Sequence, residues 1–113
     1  MRILQAVGTE RVVMNTNNVV AQEDWAFDKL DELLDKAVWK KGAVILKPQK
    51  NTIYCYSVEM LRNQLLSIAA AVVKQKFKQC DATLDDVVDN ILEEYSQECR
   101  EFILIKYPKK KVS

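Results

Sequence analysis

The residues best equipped for chemistry lie mid-chain: Trp39, Lys40, Lys41, Lys47, Lys50, Tyr54 and Tyr56. Aromatic rings interleaved with cations are what a strand surface needs to stack bases and neutralise phosphates, so this group is a candidate site for single-stranded nucleic acid. The tyrosines, each with an apolar body and a polar tip, equally suit a protein interface. A second group is acidic. Asp85, Asp89, Glu93, Glu94, Glu98 and Glu101 have no basic residue three or four places along a helix to pair with. Their counter-charges must come from elsewhere. One source is Lys74, Lys76 and Lys78, brought alongside by a turn at Cys80-Asp81-Ala82-Thr83. The other is a basic partner, with Glu94 and Glu98 as the binding residues.

Catalytic constellations are scarce. The chain has no histidine, which removes the commonest general base and the imidazole metal ligand. Its 2 glycines, Gly8 and Gly42, cannot build a phosphate-cradling loop. Asp85 and Asp89 share a helical face, but a calcium loop needs irregular backbone and a glycine turn, so they read as a solvated helix start. No metal, no cofactor and no catalytic residue is expected. Cys55, Cys80 and Cys99 are widely spaced and odd in number, which fits small apolar groups in a reducing compartment better than a disulfide framework. The start of the chain turns polar too early to supply a signal peptide. A cytoplasmic location follows, with the nucleus as the alternative suggested by Lys109-Lys110-Lys111.

The elements that must position these residues follow from periodicity. Over residues 2–20, short apolar runs alternate with Gly8-Thr9-Glu10 and Asn15-Thr16-Asn17-Asn18, a pattern of short strands and turns. From about Gln22 to Trp39, Phe27, Leu30, Leu34, Ala37 and Val38 recur at helical spacing, and Gly42 supplies a stop. Ala43 to Lys47 and Thr52 to Tyr56 form a hairpin around a loop in which Pro48 takes the first corner. In the register where Lys47 opposes Thr52, one face holds Val44, Leu46, Ile53 and Cys55. The other holds Ile45, Lys47, Thr52, Tyr54 and Tyr56. Ser57 caps a long central helix to about Gln79, and Thr83 caps a third from Leu84. Phe102-Ile103-Leu104-Ile105 suits either a continued helix or a closing strand.

The sum is a small α+β domain over residues 1–107 with a basic flexible tail at 108–113. A small antiparallel sheet with a central hairpin is covered on one face by about three helices. The 113 residues, 49% of them hydrophobic, suffice for one core. With 17 basic and 16 acidic side chains, overall charge selects neither nucleic acid nor membrane. The most apolar stretch, Leu65 to Val73, is about half the ~20 residues that span a bilayer. The expected function is that of a non-catalytic protein-binding module of accessory, regulatory or inhibitor type. The alternative is weak single-stranded nucleic-acid binding through the basic, tyrosine-bearing hairpin.

Overall fold

The computed structural model describes residues 7–104, with side chains from position 18 onward. Helix α1 runs Val7–Asp35, strands β1, β2 and β3 span Val38–Lys40, Ala43–Leu46 and Ile53–Cys55, and α2 and α3 span Val58–Phe77 and Asp85–Glu94. A short turn of helix, α4, at Ser96–Glu98 leads into a π-helical segment at Cys99–Ile103. The fold is α+β, an antiparallel sheet in the order β1-β2-β3 with helices packed against it.

The first helix overturns the strands expected over residues 2–20: from Val7 onward this stretch is α-helical, and only residues 2–6 lie outside the described part. The physical reason is cooperativity. Gln22, Ala26, Leu30 and Leu34 repeat every fourth residue and are fully buried, so the C-terminal half of α1 is fixed by packing. Each residue added to that nucleus costs only propagation, and no proline interrupts before Pro48. Local β-propensity and the asparagine cluster lose to that continuity.

The other end of α1 is also corrected. The helix stops at Asp35, its last turn tightened by Ala37 N–H donating to Leu34 O at 3.2 Å, and Val38 and Trp39 belong to a strand. Gly42 is not a helix stop but a hairpin residue. Its φ of 88° lies in the left-handed region that a side chain disfavours, and it closes the two-residue turn between Lys40 and Ala43.

The second hairpin has the expected register, Val44 opposite Cys55, Ile45 opposite Tyr54 and Leu46 opposite Ile53. β2 starts at Ala43 as expected and stops one residue short of Lys47, and β3 is one residue shorter at both ends. Lys47 and Asn51 are left-handed, at φ 51° and 57°, and Thr52 Oγ1 donates to Lys47 O at 3.1 Å. Ser57 caps α2 by accepting from Met60 N–H at 3.2 Å, and Lys78, at φ 71°, closes its C-terminus. Thr83 does not cap α3. Leu84 occupies the cap position, where its apolar side chain can make no capping bond and packs into the core instead. Phe102 and Ile103 continue the helical path; Ile105 and the tail at 108–113 lie outside the described residues.

One core joins these elements: Leu30 and Leu34 of α1, Val44, Leu46 and Cys55 of the sheet, Leu61, Leu65 and Val73 of α2, Val88 and Ile91 of α3, and Ile103. A buried polar latch fixes the α2–α3 loop to α1. Gln22 Oε1 accepts from the N–H groups of Asp81 at 2.8 Å and Ala82 at 3.1 Å. Among the described residues no helix is long and apolar enough to cross a membrane.

Candidate functional site

The alternation along each strand sorts the sheet into two faces. Val44, Leu46 and Cys55 point into the core, with Trp39 and Ile53 packed beside them. The opposite face carries Val38 and Lys40 from β1, Ala43 and Ile45 from β2, and Tyr54 from β3, with Tyr56 following in step. Ile45 is 8% exposed yet stands outside the core cluster, with Val38 and Tyr54 opposite it on the two flanking strands. Those neighbours are open, with Val38 37%, Tyr54 52% and Tyr56 47% exposed. The Tyr54 and Tyr56 rings lie nearly parallel, centroids 6.3 Å apart and planes 12° apart.

Trp39 is absent from this face. It lies on the inner side of β1, stacked on Tyr95 at 6.0 Å and tilted against Phe102 at 6.3 Å. Tyr95 Oη donates to Asp31 Oδ1 at 3.0 Å, so the stack also ties α1 to α3. Burial, that bond and the nearby charges of Asp31, Asp35 and Glu94 raise the Tyr95 phenol above its ordinary range.

The four lysines do not form one track. Lys40 and Lys41 sit at the β1–β2 turn, whereas Lys47 and Lys50 sit in the β2–β3 loop at the other end of the sheet. From Ala43 to Lys47 the strand rise separates them by roughly 13 Å. Lys47 and Lys50 instead border a groove with Lys29 and Lys36 of α1. Sequence reasoning missed those two α1 lysines. Their spacing of two helical turns was the available signal, and only the tertiary fold shows which loop they face.

Glu94 and Glu98 belong to the helical layer, Glu94 exposed and Glu98 half-buried, and the structure does not bring them to the tyrosine face. The expected pairing of α3 with Lys74, Lys76 and Lys78 is not what forms. Arg62 of α2 grips Asp89 through Nε at 2.8 Å and a second guanidinium nitrogen at 3.4 Å. That contact holds the Asp89 carboxyl below its usual range and raises Arg62. Lys76 lies over the Trp25 ring instead, at 4.6 Å, beside Lys29 at 4.5 Å. Among the described residues no cluster of three or more His, Cys, Asp or Glu could hold a metal ion. Burial raises the thiols of Cys55 and Cys99, Cys99 to about 11, so both favour the inert protonated form. Cys80 is partly exposed, and its thiol donates to Ala82 O at 3.5 Å.

Comparison with protein-family models, curated proteins and solved structures finds no match. The functional reading therefore rests on the geometry of the site.

Proposed function

We propose that this chain is a non-catalytic protein-binding module whose docking surface is the sheet face opposite the helices. The observation that carries the reading is the parallel, half-exposed Tyr54–Tyr56 pair on a face shared with Val38, Lys40, Ala43 and Ile45. Tyrosine is enriched in interface centres because it offers a large rigid contact area and one hydrogen-bonding tip. The wide separation of the Lys40–Lys41 and Lys47–Lys50 pairs favours a protein over a nucleic-acid strand, whose phosphates need cations alongside the stacked bases.

The test places a photo-crosslinking amino acid at position 54 and, separately, at Glu94, in lysate of the native source with and without nuclease treatment. The expected result is a discrete protein adduct at position 54, competed by unlabelled protein and weak at position 94. Adducts that vanish with nuclease would transfer the face to nucleic acid. Equal labelling at both positions would remove the sheet face as a specific surface. Once the partner is isolated, Tyr54→Gln should weaken binding by about 2 kcal/mol, roughly thirtyfold, if Tyr54 is a central contact.

A further inference from the structure

A groove of about 550 Å³ opens between the C-terminal half of α1 and the β2–β3 loop, and neither Tyr54 nor Tyr56 lines it. Its walls are Lys29, Leu33 and Lys36 on one side and Lys47, Pro48 and Lys50 on the other, with Gln49 and Glu32 completing it. We propose that this groove is a binding site for a compact polyphosphate anion, held between the α1 lysines and the lysines of the loop.

Three observations support the assignment. Four lysines face one glutamate in a single concavity. The carbonyl end of α1 adds about half a negative charge at most, too little to cancel that excess. One lysine side chain and the loop backbone that carries two others are also fixed by contacts. Lys29 leans on the Trp25 ring at 4.5 Å and pairs with Glu32 at 3.8 Å. Lys50 N–H donates to Lys47 O at 3.2 Å, and Thr52 Oγ1 donates to Lys47 O and Pro48 O, which closes the loop on itself. An ordered Lys29 side chain and an ordered loop backbone lower part of the ordering cost that makes surface lysines weak binders. Third, the groove is open to solvent but of suitable size. Its volume falls in the range of small-molecule pockets, and lysine ammonium groups bind phosphate as point charges. Beyond the groove, Asp28, Asp31 and Asp35 are exposed on the C-terminal half of α1, and Lys40 and Lys41 lie at the far end of the sheet. A long polyanion would run into repulsion where a short one fits.

The test is calorimetric titration of the full chain with inorganic tripolyphosphate at matched ionic strength, and with a nucleoside triphosphate to show whether a base adds to the phosphate chain. One-site binding of either is expected, weakened at least about fivefold by Lys36→Gln and by Lys50→Gln, one from each wall. Lys40→Gln with Lys41→Gln should leave it unchanged, and all variants should keep the native circular dichroism spectrum. No binding of either probe would overturn the proposal. So would equal loss in the Lys40 and Lys41 variants, or tighter binding of a single-stranded oligonucleotide that depends on them. Because these lysines are not in the tyrosine face, failure here leaves the crosslinking result at position 54 standing, and the reverse holds as well.

Discussion

Gln22 offers the sharpest test of how the helical layer is held. It is the buried polar side chain of the core, 0% exposed, and its Oε1 receives two backbone N–H groups from the loop between α2 and α3. Gln22→Met keeps the length of the side chain and deletes the acceptor. A donor left unmade costs about 1–3 kcal/mol when buried. Asp81 is exposed and Ala82 half-buried, so water reaches part of each site and the low end applies, about 2 kcal/mol for the two together. Against this, Gln22 Nε2 is itself buried without an acceptor among the described residues, and replacing it recovers roughly 1 kcal/mol. The expected net loss is about 1–2 kcal/mol in a urea melt with unchanged slope. Hydrogen exchange localises it: the Asp81 and Ala82 amides should lose protection while the Leu65 amide changes only by the global amount. Wild-type stability, or protected Asp81 and Ala82 amides in the variant, would refute the latch.

Two further outcomes follow from packing and protonation. Leu65→Ala empties a fully buried position on α2 and should cost about 2–5 kcal/mol; an unchanged melting temperature would refute the central place given to that helix. Stability should also fall in alkali. The Cys99 thiol rises from 9.0 to about 11 on folding, and the Tyr95 phenol rises from 10.0. A raised folded value means the unfolded chain releases its proton first. The contribution of Cys99 is therefore complete below pH 9 and lost as the pH climbs through about 11, with Tyr95 adding to the loss above pH 10. Urea melts from about pH 8 upward should show this decline, flattened in Cys99→Ala and Tyr95→Phe; an unaltered slope in both would contradict the assigned environments.

What the sequence disclosed was whatever short-range pattern decides. The register of β2 with β3 followed from alternation and from Pro48, and the cap at Ser57 from its position before an apolar stripe. What it hid was decided at a distance. Val7 to Val20 reads as strands and turns residue by residue and is helix because α1 is anchored further along. Val38 and Trp39 fit the end of a helical period, but pairing with Ile45 and Val44 makes them a strand. Arg62 lies 27 positions from Asp89, so no periodicity argument selects it over the nearer lysines. The tyrosines were visible as candidates, whereas the groove required knowing that Lys29 and Lys36 face Lys47 and Lys50.

The tyrosine face carries a tension that governs how it must be probed. Tyr54 is at once half exposed and the cross-strand neighbour of Ile45, which is 8% exposed. Truncating Tyr54 to alanine would uncover that isoleucine, so a loss of binding could arise from a loosened sheet rather than a lost contact. A long polar side chain resolves the ambiguity. Its methylenes can still lie over Ile45 while the ring and hydroxyl that a partner would use are gone. A face that merely seals its own sheet should tolerate Tyr54→Gln in both stability and binding. A docking surface should tolerate it in stability and lose affinity, and that divergence separates the two roles of the residue.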